Sequence, residues 1–212
     1  MRNLQLNINE IFCSRQGEGT QTGELTTFIR LSGCNLNCAW CDTKYAKKGK
    51  KINVNEIIKE VKKYPANNIS ITGGEPLIQK DAIILLTKKL LNEKYKISLE
   101  TNGSLDWKGI SKKISISMDI KTPSSKTFKN NFNLIKKLTK NDQLKFVIKN
   151  KKDYQFMEEI INKYVPEKNT IVIIQPAWGT DLKKIWSWAE KDNRFRLMVQ
   201  LHKIVWKEKR GV

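Results

Sequence analysis

The sequence predicts an α/β fold on a mainly parallel sheet. Three observations carry that expectation: recurring β-branched apolar runs, helical spacing between several of them, and polar or Gly-rich motifs where runs end. The runs lie at residues 26–31, 69–72, 97–101, 114–120, 144–148, 171–174 and 195–200, and each reads as a strand. Residues 4–12 alternate weakly and add a candidate strand before them. Val54, Ile57, Ile58 and Val61 occupy i, i+3, i+4 and i+7, and Met157, Ile160, Ile161 and Tyr164 repeat the pattern, so both segments read as amphipathic helices. Asn53, with Glu56 three residues on, forms a capping pattern before the first helix. Strands alternating with helices make βα units, whose ligand sites gather at the C-terminal ends of the strands. Those ends carry Gly73, Gly74 and Glu75, then Asn102 and Gly103, then residues 121–125, then Gln175 and Pro176, which together make an active-site rim.

A chain of 212 residues suits a single domain over 1–212, with no linker or internal repeat, and is short for an eightfold barrel of about 250 residues. Hydrophobic residues at 39% and charged residues at 29% exclude bulk disorder. No apolar stretch approaches the roughly 20 residues that cross a bilayer, and the first residues carry no secretion signal, so a cytoplasmic location is expected. The formal charge is +19, from 40 basic and 21 acidic residues. Such a surplus raises nucleic acid or an anionic membrane as a partner. Yet only six of the basic residues are Arg, the residue suited to bidentate phosphate and base contacts. The expectation is therefore a solvated Lys-rich surface with no nucleic-acid and no membrane partner, able to attract small anions.

Three of the four cysteines fall in one short segment, at Cys34, Cys38 and Cys41. Their spacing lets three thiolates converge on one metal centre. A cytoplasmic chain disfavours disulfides. Structural zinc wants four ligands, and Cys13 or His202 would have to supply the fourth. Iron–sulfur ligation fits a trio better, because it leaves one iron open to a further ligand.

The trio, with Trp40 before its last cysteine, resembles the radical S-adenosylmethionine superfamily. The resemblance implies a [4Fe-4S] cluster on Cys34, Cys38 and Cys41, with S-adenosylmethionine chelating the open iron and cleaved to a hydrogen-abstracting radical. Thr72-Gly-Gly-Glu-Pro76 is similar to the superfamily's segment facing the methionine end, which points to Gly73, Gly74 and Glu75. Trp40, Asp42, Gly103, Asp119, Lys121 and Gln175 are the further cofactor contacts it implies.

Residues 10–20, residues 28–34, Cys41-Asp-Thr43, Glu100-Thr-Asn-Gly103, Lys121-Thr-Pro-Ser-Ser125, Gln175-Pro176 and Gln200-Leu-His-Lys203 resemble the 7-carboxy-7-deazaguanine synthase family. The likeness runs from about residue 8 to residue 203. It implies a shortened, open (βα) partial TIM barrel, with the cluster loop at about 34–41. The implied reaction is radical ring contraction of 6-carboxy-5,6,7,8-tetrahydropterin to 7-carboxy-7-deazaguanine with loss of ammonia, a lyase step of queuosine biosynthesis. Mg²⁺ is implied at the Thr43 hydroxyl, in keeping with a hard cation that takes few protein ligands and several substrate oxygens. Substrate contacts are expected from Arg15, Gln16, Gly17, Glu18, Arg30, Thr101 and His202. Arg30 is suited to a bidentate grip on a carboxylate, and Glu18 to accepting from amino and ring N–H groups.

Where the family often has Ser-Pro-Lys, this chain has Asp119-Ile-Lys121. Cys13 reads as a small buried thiol, and Trp178, Trp186, Trp188 and Trp206 as core, interface or lid aromatics. The family further implies a flavodoxin or ferredoxin electron donor and a homodimer. Two other readings stay open: a glycyl-radical enzyme activating enzyme of the same superfamily, and a non-enzymatic basic RNA-binding module with a zinc site.

Overall fold

A computed structural model describes residues 4–127, 129–165 and 170–212. The apolar runs become β2 (Leu25–Leu31), β4 (Asn68–Gly73), β5 (Lys96–Thr101), β6 (Ser115–Ile120), β7 (Gln143–Ile148) and β8 (Ile171–Pro176). The weakly alternating N-terminal segment forms β1 (Gln5–Arg15). Two strands depart from expectation. Lys50–Asn53 forms β3, although its paired lysines look like surface, because it is an edge strand whose outward residues stay in water. The run at 195–200 yields only the two-residue β9 (Arg196–Leu197), after which the chain turns into a helix.

Among the described residues, nine strands lie in one sheet, in the order β3-β1-β2-β4-β5-β6-β7-β8-β9. From β2 to β9 neighbours run parallel, while β1 is antiparallel to both β2 and β3. β3 and β9 end the order, so this is an open α/β sheet and not a closed barrel.

The helices are α1 (Val54–Val61), α2 (Lys80–Asn92), α3 (Lys151–Tyr164), α4 (Leu182–Ala189) and α5 (Leu201–Trp206). α1 begins with the capping box its sequence predicts: Asn53 Oδ1 accepts from the Asn55 amide at 2.8 Å, and Glu56 accepts from the Asn53 amide at 3.2 Å. Among the described residues no helix is long and apolar enough to cross a membrane.

The period of two along each strand sorts side chains onto two faces. Ile29, Ile71, Leu99, Met118, Phe146 and Ile174 lie in the buried core with Ile57, Leu86, Leu90, Met157 and Ile161 of the helices. Arg30, Thr72, Glu100, Asp119, Lys145 and Gln175, from six neighbouring strands, border a cavity instead. Parallel sheets covered on both faces usually read as continuous hydrophobic runs. Here one face of every central strand carries polar groups, and that departure places the functional site.

Candidate active site

The cavity has a volume of about 630 Å³, within the range of small-molecule sites. One wall is the cysteine loop that follows β2. Gly33 takes φ +88°, which lets the chain turn out of the strand, and its carbonyl accepts from the Glu75 amide at 2.9 Å. The Gly74 amide donates to the Leu31 carbonyl at 3.1 Å. A Cβ on Gly74 would overlap the Gly33 carbonyl, so this backbone-to-backbone approach requires glycine. The paired glycines thus lock the end of β4 against the start of the cysteine loop.

Cys34 is exposed, Cys38 buried and Cys41 intermediate, and all three border the cavity. The Leu36 amide at 3.4 Å and Asn102 Nδ2 at 3.8 Å donate to Cys34 Sγ, and the Cys41 thiol and Thr43 hydroxyl share a hydrogen bond at 3.6 Å. The loop is pinned at its far end, where the Ala39 amide donates to the Ser125 carbonyl at 2.9 Å and Trp40 Nε1 donates to Ser124 Oγ at 3.0 Å.

A second wall is borne by strands and by the β1–β2 connection. Lys145 Nζ lies 2.7 Å from Glu18 Oε2 and 4.0 Å from Asp119 Oδ2. Gln200 Nε2 donates to Glu18 Oε1 at 2.7 Å. Burial alone would push the Glu18 carboxyl up, but the Lys145 ammonium and the Gln200 amide outweigh it and bring it down to about 2. Burial works against the Lys145 ammonium as well, yet Glu18, Asp119 and Glu100 together hold it above the ordinary lysine value. Both groups are therefore charged across the physiological range. Glu100 Oε2 accepts from Thr72 Oγ1 at 2.9 Å and its Oε1 from Ser70 Oγ at 3.1 Å, so it is braced on the floor between them.

Residues 28–173 match the model of the radical SAM superfamily. A 7-carboxy-7-deazaguanine synthase from Methanospirillum hungatei is 41% identical over 202 residues, 94% of this chain and 85% of that protein. Another, from Thermoplasma acidophilum, is 36% identical over 97% of this chain and 99% of its own length. The chain belongs to the 7-carboxy-7-deazaguanine synthase family of radical SAM enzymes. The fold agrees with QueE from Escherichia coli, with a TM-score of 0.80 over 93% of this chain and 95% of that one at 24% identity.

Membership makes the chain an enzyme, a lyase that uses a [4Fe-4S] cluster and S-adenosylmethionine. It disfavours both the glycyl-radical activating reading and the zinc-bearing RNA module. The cysteine geometry agrees. Three sulfurs around one tetrahedral zinc sit about 3.8 Å apart, from bonds of about 2.3 Å. Among the described residues, the group of three ligating side chains brought within 4.8 Å is Glu18, Asp42 and His202, not the cysteine trio. The wider spread of the sulfurs suits a multi-iron cluster. His202 groups with Glu18 and Asp42 rather than with the cysteines, and Cys13 pairs with Thr27 in the β1–β2 ladder without bordering the cavity, so neither is seen to complete a zinc site among the described residues. Cys13 is only partly buried. Two buried acceptors, Asp119 Oδ1 and Gln175 Oε1, have no hydrogen-bond partner among the described residues and border the same cavity, which fits a cavity that takes a polar ligand.

Of the metal, cofactor and substrate residues the sequence singles out, all but Glu75 and Gly103 border the cavity. Glu75 is fully buried, and its carboxylate accepts from the amides of Leu77 and Asn102 and from the Thr101 hydroxyl at 2.7–3.0 Å. It braces the glycine turn and does not face a ligand. Gly103 turns the chain after β5 at φ +69°. Arg30 donates through Nε to Glu10 at 2.7 Å, which leaves its terminal nitrogens for an anion. Arg15 is exposed and donates to the Gly23 carbonyl at 3.1 Å, so it holds the β1–β2 turn. Gln16 is buried and links Glu100 at 3.5 Å to the Glu18 amide at 3.2 Å. His202 lies on α5 with its ring against the Gly17 backbone, where any Cβ would collide with it. Lys121 donates to Asp119 at 2.8 Å and lies over the Trp40 ring. Trp188 packs on the core, Trp178 borders the cavity, and Trp186 and Trp206 are exposed.

Sequence reasoning missed Lys145 as a site residue, and it placed Asn102 on the rim and Gln200 in a family segment without giving either a role. Lys145 carried a local signal, a charge at an inward position of an otherwise apolar strand, since lysine is almost never buried without a partner.

Proposed function

We propose that this chain converts 6-carboxy-5,6,7,8-tetrahydropterin to 7-carboxy-7-deazaguanine, in 7-deazapurine and queuosine biosynthesis. Substrate and product differ by one ammonia, so the conversion needs no net oxidant. The observation that carries the reading is one cavity holding three cysteines, an ionised carboxylate at Glu18 and an arginine at Arg30 whose terminal nitrogens make no hydrogen bond among the described residues.

Cys34, Cys38 and Cys41 would hold the cluster, and Gly73, Gly74, Asp119, Lys121 and Gln175 would surround S-adenosylmethionine. Bound together, cluster and S-adenosylmethionine supply the radical that takes a hydrogen atom from substrate. The chain's own residues bind and orient. Glu18 accepts from the amino and ring N–H groups, Arg30 grips the carboxylate as an anion, and His202 and Thr101 complete the pocket. Thr43 presents its hydroxyl at the cavity wall and would be the Mg²⁺ ligand, with substrate oxygens completing the shell.

We read residues 1–212 as one domain working in the cytoplasm as a homodimer. Trp186 on α4 and Ile204 and Val205 on α5 are exposed apolar side chains that a second copy would cover. A flavodoxin or ferredoxin, both acidic, suits the +19 surface as electron donor. The test is anaerobic incubation of the reconstituted protein with the carboxy-tetrahydropterin, S-adenosylmethionine and reductant. Mass spectrometry should find the deazaguanine acid; its absence beside intact S-adenosylmethionine cleavage would overturn the substrate.

A further inference from the structure

Lys145 is a costly residue to keep. Removing an ammonium from water into a protein interior costs several kcal/mol even after relaxation, and a buried ion pair is weak evidence of a stabilising role. Yet the side chain is only 11% exposed, on a strand whose neighbours Leu144 and Phe146 are core, and its partner Glu18 comes from 127 residues away. Both line the cavity.

Their hydrogen-bonding capacity is not exhausted. A carboxylate has about four lone-pair sites, and Glu18 accepts two N–H groups from the protein, one on each oxygen. An ammonium has three N–H groups; one meets Glu18, and Asp119 lies at the edge of reach at 4.0 Å. The wall therefore offers a charged acceptor directly beside a charged donor. The complement is a ring edge carrying two adjacent N–H groups followed by a carbonyl, which is the edge of a 2-amino-4-oxo pyrimidine.

We propose that Lys145 is a specificity-determining residue whose ammonium donates to the ring carbonyl while Glu18 takes the neighbouring N–H groups. This rests on the pterin reading above. Asp119 and Gln200 keep the pair aligned, and the enzyme thereby reads the oxygen on the ring and not the ring's shape alone.

The test uses the anaerobic holoenzyme with S-adenosylmethionine and two stable probes. One is 6-carboxypterin, and the other is its 4-thio analogue, which keeps every N–H group and replaces the carbonyl oxygen by sulfur, a much weaker acceptor. Binding is followed by pteridine fluorescence. Wild type should prefer the oxygen probe by roughly tenfold or more, the scale of a hydrogen bond to a charged group. Lys145→Met should erase most of that preference. Because the methionine variant leaves Glu18 without its cation, the double variant E18Q/K145M, which removes both charges and the donor at 145 together, carries the same measurement should the single variant fail to fold. A purely structural Lys145 would leave the ratio of the two affinities unchanged while altering both, so a retained preference in either folded variant overturns the proposal. Equal binding of both probes by wild type overturns it too and leaves the pterin reading standing. Failure of wild type to bind either probe overturns the pterin reading itself.

Discussion

The two walls of the cavity are built on opposite plans. The cysteine wall is loop, carried by turns and by a handful of hydrogen bonds, with Cys34 and its neighbour Asn37 open to solvent. The other wall is strand, and its charged groups are largely withdrawn from solvent, with side chains 11–17% exposed, and mutually paired before any ligand arrives. The first wall is completed by what it binds; the second is preorganised and sets what can be bound.

The sharpest way to separate the two walls is to remove a thiolate. Cys34→Ala should abolish cluster assembly and S-adenosylmethionine cleavage, checked by iron and sulfide content and by loss of visible absorption. The exposed position should leave the unfolding midpoint of the metal-free chain within about 0.5 kcal/mol of wild type. A large loss of stability would show that the loop is structural after all.

Acid titration tests the strand wall. Glu18 falls from 4.5 to about 2 on folding, so its contribution is fully present above about pH 4.5 and is lost as pH drops towards 2. Over that window it amounts to about 3 kcal/mol at most, from 1.36 kcal/mol per unit. Chemical denaturation of the metal-free chain at stepped pH should show this loss, and Glu18→Gln should flatten it. A wild-type curve already flat between pH 4.5 and 2 would remove the pair from the account.

Gly74→Ala strikes where the walls join. The overlap with the Gly33 carbonyl forces the cysteine loop to move, at about 1–3 kcal/mol in thermal unfolding, together with weaker cluster loading. Arg30→Ala should raise substrate KM roughly tenfold or more with kcat nearly held, as expected when binding common to ground and transition states is lost. Thr43→Ala is the mildest change. It should weaken the Mg²⁺ dependence several-fold while leaving cluster content intact, and an unchanged metal titration would remove Thr43 from that role.

The same contrast explains what could be read from sequence. The cysteine wall is local, so Cys34, Cys38, Cys41 and the glycines at 73 and 74 announce themselves by spacing. The central strands were equally legible, because each is a short β-branched run between turn residues. β3 was not, since Lys50 and Lys51 give an edge strand the look of a surface loop. The run at 195–200 misled because its apolar residues serve a two-residue strand and the entry to α5. The strand wall is assembled from partners 127 residues apart in the case of Lys145 with Glu18, and 182 apart for Gln200 with Glu18. No window along the chain contains such a pair. The role of Glu75 was obscured for a related reason, because only the fold reveals that its oxygens are already occupied by Leu77, Thr101 and Asn102.

The β1–β2 connection has a mechanical consequence. A closed barrel fixes its own curvature when its first and last strands pair, and in this sheet β3 and β9 never meet. The connection instead lies along the cavity as a tie-rod. The Leu201 amide donates to the Gly17 carbonyl at 2.9 Å, the Thr20 amide donates to Gln143 Oε1 at 2.9 Å, and Glu18 is anchored to Lys145 and Gln200. Nine residues between two antiparallel strands thus do the work of the missing seam. Lengthening that connection should splay the mouth of the cavity even if every residue of the sheet is left in place.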